Sequence, residues 1–378
     1  GKREWLNSLK LRASYGAVGN SAIDPYQTIA GLSKYDYLFG EDASNKFFAY
    51  RPSMIPNKDL GWEISRTANF GVDFGLWNNR ISGYIEGYIT KTSDLLMERT
   101  LPFFTGFSKV WQNIGKTENK GIELNIQANT LKTKSFSWET TVTFARNWNK
   151  ITELLGGGDI RNNSWFIGKP LQVHYNYEMI GVWQLGEEKE AQKYGAIPGD
   201  IKVKDQNNDG SIGELDKVIL GQKDPKIIAS LLNSFRFGAF DASINLNMNF
   251  GSLIHPNTYA SLITRDGLRW MPSNFKYWTP DNPTNEYTRA DKLSGYDPFA
   301  GTGGYMKGDY IKIQDITLGY DFSKIMPKNG KILRARLYAQ VRNLGYIYKA
   351  CKNDVSPEAP DFDYNIPTTY TMGINIDF

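Results

Sequence analysis

The chain has 378 residues, with 44 Lys+Arg against 40 Asp+Glu, and a formal charge of +4 makes no case for a nucleic-acid partner. One Cys and two His exclude a disulfide framework and a Cys/His zinc site, and they argue against catalysis by a thiol or a histidine pair. Aromatic residues at 14 % are too many for a disordered chain, and no apolar run reaches the length of about 18 residues that a membrane-spanning helix needs.

The chain opens at Gly1-Lys2-Arg3 with neither an initiator Met nor a signal peptide, which reads as a fragment of a longer protein. From there, hydrophobicity alternates with period two. Leu9 to Gly19 alternates first, and a weaker segment lies around Tyr26. Ala68, Phe70, Val72, Phe74 and Leu76 form the next apolar face, then a tight turn at Trp77-Asn78-Asn79-Arg80 leads into Ile81 to Ile89. Ile122, Leu124, Ile126 and Ala128 precede a turn at Asn129 to Lys134, and Phe136, Trp138, Thr140, Val142 and Phe144 follow it. Weaker segments surround Gln172 and Ile227.

The clearest strand is Phe240 to Phe250. Phe240, Ala242, Ile244, Leu246, Met248 and Phe250 point one way, and Asp241, Ser243, Asn245, Asn247 and Asn249 point the other. A long excursion from Gly251 to Asp309 follows, then weaker segments around Tyr310 and Leu337. The chain ends on Tyr370, Met372, Ile374, Ile376 and Phe378, alternating with Thr371, Gly373, Asn375 and Asp377.

These segments predict an all-β protein of about a dozen antiparallel strands. Soluble sandwich strands run to about five or six residues, whereas strands tilted across a bilayer need roughly nine to eleven. The longer lengths and the mixture of tight turns and long excursions favour a transmembrane barrel with long extracellular loops. Trp62, Trp77, Trp111, Trp148 and Trp183 fall near strand ends, where interfacial girdles lie. A soluble β-sandwich or propeller with an aromatic core is the alternative. On the barrel reading, Asp241, Ser243, Asn245, Asn247 and Asn249 line the lumen.

Several phrases carry a family resemblance. Leu9-Lys10-Leu11-Arg12-Ala13-Ser14-Tyr15-Gly16, Asn69-Phe70-Gly71-Val72-Asp73-Phe74-Gly75 and Asn113-Ile114-Gly115-Lys116-Thr117-Glu118-Asn119-Lys120-Gly121-Ile122-Glu123 resemble the SusC/RagA-type TonB-dependent transporters. Ile167-Gly168-Lys169-Pro170-Leu171, Gly199-Asp200-Ile201-Lys202, Tyr310 to Tyr320 and Arg336 to Leu344 follow in the same order. The resemblance implies the C-terminal part of an outer-membrane barrel of about 22 strands, in a Gram-negative bacterium, with the plug and N-terminal domain absent from residues 1–378. It further implies import of oligosaccharides or peptides, a SusD-like surface lipoprotein as lid, and energy from the TonB complex. Tyr370, Met372, Ile374, Ile376 and Phe378 would then be the signal read by the barrel-assembly machinery, on a barrel embedded in outer-membrane lipid. Residues 346–352 depart from the family pattern.

Local motifs add candidate sites. Asp205, Asn207, Asp209, Ser211 and Asp216 fall at calcium-loop spacing, with Gly210 at the sharp turn, so a structural calcium ion is expected there; a metal-free turn held by Asx hydrogen bonds is the alternative. Position twelve is Asp216 where the usual residue is a bidentate Glu. Arg265, Arg269, Trp270, Tyr277, Trp278, Tyr287, Arg289 and Tyr296 make the long excursion a candidate surface for substrate or lid, with loop packing as the competing role for each. Gly115-Lys116-Thr117 lacks the first glycine of a phosphate loop, Val110 standing in its place, and Glu187, Glu188 and Glu190 read as a solvated loop helix. His174 and His255 read as rim residues, and Cys351 as a buried or capped thiol. No enzymatic activity is expected; the rivals to transport are a secreted or surface calcium-stabilised β-protein that binds glycan, and a surface glycosidase.

Overall fold

A computed structural model describes residues 5–21, 28–29, 31–39, 45–263, 275–289, 299, 301–326, 332–352, 355–361 and 366–378. Ten strands form one antiparallel sheet in which chain neighbours are also sheet neighbours. They are β1 (Leu6–Asn20), β2 (Glu63–Leu76), β3 (Ile81–Ser93), β4 (Gly115–Lys132), β5 (Phe136–Leu154), β6 (Ile227–Phe237), β7 (Phe240–Phe250), β8 (Tyr310–Asp321), β9 (Arg334–Lys349) and β10 (Thr369–Asp377). Among the described residues, β1 and β10 are the free edges of this sheet.

Register turns the period-two alternation of each strand into two continuous faces. One row reads Leu11, Val72, Ile85, Leu124, Phe144, Ala229, Met248, Ile311 and Tyr348 across nine strands. An adjacent row reads Lys10, Asp73, Tyr84, Asn125, Thr143, Ser230, Asn247, Lys312 and Tyr346. The first face is apolar and the second polar. Asn233 breaks the apolar face, and its Oδ1 accepts from Trp138 Nε1 at 2.9 Å and Thr140 Oγ1 at 2.8 Å. A polar group on a dry face needs such partners.

The connections alternate in length. Residues 77–80, 133–135, 238–239 and 322–333 close one rim; residues 21–62, 94–114, 155–226, 251–309 and 350–368 leave the other. At the first turn Asn78 and Asn79 take positive φ of 56° and 59°, a conformation that their short polar side chains tolerate.

Among the described residues the large sheet holds ten strands, in keeping with the expected partial barrel. The segment near Gln172 belongs to a loop ladder, Val173–Tyr177 paired with Lys217–Gln222, because both of its strands are too short to span a bilayer. Residues 22–27, including Tyr26, lie outside the described residues. The long strands exceed expectation: β5 runs for 19 residues, so it projects past any bilayer into the long-loop rim.

Candidate ligand-facing surface at the long-loop rim

Residues 155–226 and the described residues of 251–309 build a lobe at this rim. Trp183 is buried, stacks on Tyr194 at 6.0 Å and lies under Lys202 Nζ at 4.3 Å, while that ammonium also pairs with Glu187 at 2.6 Å. The Lys202 cation holds the Glu187 carboxyl below its usual range. Glu187 directly precedes a short helix at Glu188–Lys193.

The second loop docks onto the first through polar contacts. Trp278 Nε1 donates to Gln184 Oε1 at 2.8 Å, Gln184 Nε2 donates to Thr284 O at 3.1 Å, and Val182 N donates to Asn285 Oδ1 at 3.1 Å. Arg289 pairs with Asp200 at 3.0 Å and donates its backbone N–H to Gly199 O at 2.9 Å. Gly199 permits this approach: a Cβ there would lie 2.7 Å from both Trp278 and Arg289, and its φ is +92°.

A small core sits beside this junction. Tyr259, Tyr287, Cys351 and Val355 are buried together, with Ile254, Phe275, Tyr277 and Met306 packed against them. The Cys351 thiol donates to Val355 O at 3.2 Å, and burial pushes its pKa up. The segment after β9 therefore belongs to the lobe and also reaches the polar face of the sheet. Lys312 Nζ on β8, almost fully buried, pairs with Glu358 Oε2 at 2.6 Å, and Tyr346 OH donates to Glu358 at 2.8 Å. His174 and His255 come together with Tyr305, whose ring lies 5.1 Å from His174 and 4.3 Å from His255. Burial, above all, holds His174 down at about 4.

Of the residues expected to face substrate, Trp278 and Tyr287 are buried, Tyr277 is half-buried in the core and Arg289 is paired inside the lobe. These four give the loops an interior. Arg265, Arg269, Trp270 and Tyr296 lie outside the described residues.

In the expected calcium loop, Asp205 accepts from Asn208 N at 2.6 Å and Gly210 N at 2.9 Å, and Asp209 accepts from Ser211 N at 2.8 Å. Asn207 Oδ1 accepts from Asp209 N at 3.0 Å, and buried Asp216 accepts from Gln206 N at 2.8 Å and Gly213 N at 2.7 Å. The acidic side chains thus turn to the loop's own N–H groups. Among the described residues no three His, Cys, Asp or Glu side chains converge as a ligand set.

Asp241, Ser243, Asn245, Asn247 and Asn249 share the polar face of β7. Asn245 donates to Asp315 at 3.2 Å, Asn247 to Gln314 at 3.3 Å and Asn249 to Tyr310 OH at 2.9 Å. Asp241 pairs with Arg336 Nε at 2.9 Å across β8, over the bare backbone of Gly319. A matching cluster joins Arg12 to Asp73 at 2.9 Å and to Glu86 at 3.0 Å. Tyr370, Met372, Ile374 and Ile376 pair along β9 and stand exposed on the apolar face of β10, with Phe378, also exposed, just beyond the strand.

Sequence reasoning missed the tip of the hairpin formed by Leu96–Thr100 and Lys109–Asn113. There Phe103 is 99 % and Phe104 89 % exposed, held out by a short 3-10 turn that Gly106 ends at φ +76°. The signal was present as Pro102-Phe103-Phe104-Thr105-Gly106, two apolar residues inside a turn.

The family model described as TonB dependent receptor-like, beta-barrel, matches residues 4–344. The chain is 28 % identical over 413 residues to TonB-dependent receptor P26 of Formosa agariphila, covering 100 % of this chain and 40 % of that protein. It is 28 % identical over 397 residues to TonB-dependent receptor SusC of Bacteroides thetaiotaomicron, covering 99 % and 38 %. The chain thus spans about two fifths of the curated relatives it matches. The solved RagAB peptide transporter superposes with a TM-score of 0.81 at 23 % identity, covering 100 % of this chain and 42 % of that one.

Proposed function

From the premise that the chain belongs to the TonB-dependent receptor-like β-barrel family of the bacterial outer membrane, we propose that it forms part of the wall and outer mouth of a transporter that imports oligosaccharides or peptides. A SusD-like lipoprotein covers the mouth, and TonB supplies energy through a plug in the rest of the protein. The two-faced sheet carries this reading: the apolar row meets lipid, and the polar row, crossed by the Asp241–Arg336 and Arg12–Asp73–Glu86 clusters, lines the passage. The long-loop rim is extracellular and the short-turn rim periplasmic. Phe103 and Phe104, two large apolar side chains held in water, suit burial against the lid lipoprotein.

The test uses single cysteines in the full-length protein with Cys351 replaced by Ser. A bulky polar thiol reagent is expected to label positions 243 and 245 through the lumen and to leave 242 and 244 shielded. Equal protection of both sets sinks the assignment. Separately, Phe103→Ala with Phe104→Ala is expected to lower co-purification of the lipoprotein without changing barrel assembly.

A further inference from the structure

The membrane-facing side of β2 to β5 carries charges that the passage does not use. Register places Arg66 opposite Lys91, Lys91 opposite Glu118, and Glu118 opposite Lys150. The next rows towards the membrane hold Lys120 beside Trp148, then Arg146 beside Ile122. These five cations are exposed, and they stand on the same face as the apolar positions Phe70, Ile89 and Ile122. Arg66 lies about ten residues from the short turn, close to the roughly nine to eleven that a tilted strand needs to cross the bilayer. The cluster therefore marks the outer-leaflet interface.

Among the described residues Glu118 is the one carboxylate in the cluster, it pairs with Lys150 at 3.0 Å, and no ion pair reaches Arg66, Lys91, Lys120 or Arg146. Like charges opposed across a strand pair repel, as Arg66 and Lys91 must here. A generic ring of anchoring cations would encircle the sheet. Instead the outward positions at the corresponding ends of the other strands are Ala17, Ile227, Phe250, Ile311 and Tyr348. Beneath the cations lies a groove of about 640 Å³, lined by Phe70, Gly87, Ile89, Ile122 and Trp148. Gly87 keeps it open, since a Cβ there would meet nothing nearer than Gly121 O at 3.8 Å.

We propose that this surface binds an outer-leaflet lipid with a phosphorylated headgroup. The phosphate sits among Arg66, Lys91, Lys120 and Arg146, and an acyl chain lies in the groove beneath Trp148. The inference rests on the lipid-facing assignment of the apolar rows.

The experiment uses the full-length protein in nanodiscs, with native mass spectrometry of retained lipid. The probes are phosphorylated lipid A, its dephosphorylated form and inorganic phosphate. Retention of the phosphorylated form is expected to exceed that of the dephosphorylated form. Lys91→Gln with Lys120→Gln is expected to lower it roughly 25-fold, about fivefold per cation, and Gly87→Leu to lower retention of both forms. Equal retention of both forms, displacement by inorganic phosphate, or variants that hold as much lipid as the wild type would overturn the proposal. Heat-modifiable migration of the wild type separates the two readings: if it is present, the barrel stands whatever the lipid result, and if it is absent, both readings fall.

Discussion

Gly319 is the smallest feature on which the polar face depends. Asp241 on β7 and Arg336 on β9 meet over it, and a Cβ there would lie 2.5 Å from the guanidinium and 2.6 Å from the carboxylate. Gly319→Ala is therefore expected to displace the pair while leaving the strand intact. Hydrogen bonds to charged groups contribute about 1.5–3 kcal/mol. Both side chains keep some water contact, at 20 % and 24 % exposure, so a loss of about 1 kcal/mol is expected. A double-mutant cycle checks it: Gly319→Ala combined with Arg336→Gln should cost no more than the larger single loss. Full additivity would show that the glycine serves the backbone and not the ion pair. The residue-scale pattern was only partly legible in the sequence. Asp241 was assigned to the polar face from alternation, but its partner stands 95 positions away and two strands over, and no local spacing encodes that distance.

The loop ladders and the lobe depend on groups whose protonation matters. His174, on the ladder strand Val173–Tyr177, lies half-buried against Tyr305 and His255, with Lys223 adding to the pressure against a second positive charge. Its pKa falls from 6.5 to about 4, so the unfolded loop takes up the proton first. The contribution of neutral His174 is complete above about pH 6.5 and is lost as the pH falls from there towards 4. Limited proteolysis of the lobe should accelerate between pH 7 and 5, and His174→Gln should flatten that rise. An unchanged pH profile in the variant would assign the effect to another group. The Asp205 to Asp216 loop gives the opposite expectation for metals. Its carboxylates already accept from the loop's own N–H groups, so a chelator should leave its protease sensitivity unchanged. A loop that loosens in chelator and tightens with added calcium would instead show the structural calcium ion. The same loop shows why sequence spacing underdetermines a site: oxygen-rich residues at those intervals serve Asx turns as well as cations. Aromatic residues of the long excursion are equally ambiguous, since Trp278 recognises Gln184 through the same indole N–H that could meet a ligand.

At the scale of the whole molecule, the sheet was legible because each barrel strand repeats one simple constraint, a dry face against a wet one. The loops were not, because their contacts join segments far apart in the chain. One such contact joins the sheet to the lobe. Lys312 faces the polar side of the sheet, where Asn247 and Tyr346 flank it in register, and it is 4 % exposed because Glu358 of the segment beyond β9 closes over it. The segment carrying Glu358 is also tied to the lobe, through Val355 in its core and Asp361 accepting from Asn257 N at 2.8 Å. Wall and lobe are thus linked across the polar face, and on the proposed function this linkage lies at the outer mouth of the passage. Removing one partner of a buried ion pair costs about 3–5 kcal/mol, and the lower end applies because Glu358 stays 20 % exposed. Lys312→Met is therefore expected to free the 355–361 segment from the wall without unfolding β8, whose ladder bonds are untouched. On cells carrying the full-length protein, the freed segment should become accessible to added protease. Glu358→Gln, which keeps a hydrogen-bonding oxygen for Lys312, should expose it more weakly. If both variants leave the segment as protease-resistant as the wild type, its contacts with the lobe, and not the Lys312–Glu358 pair, hold it in place.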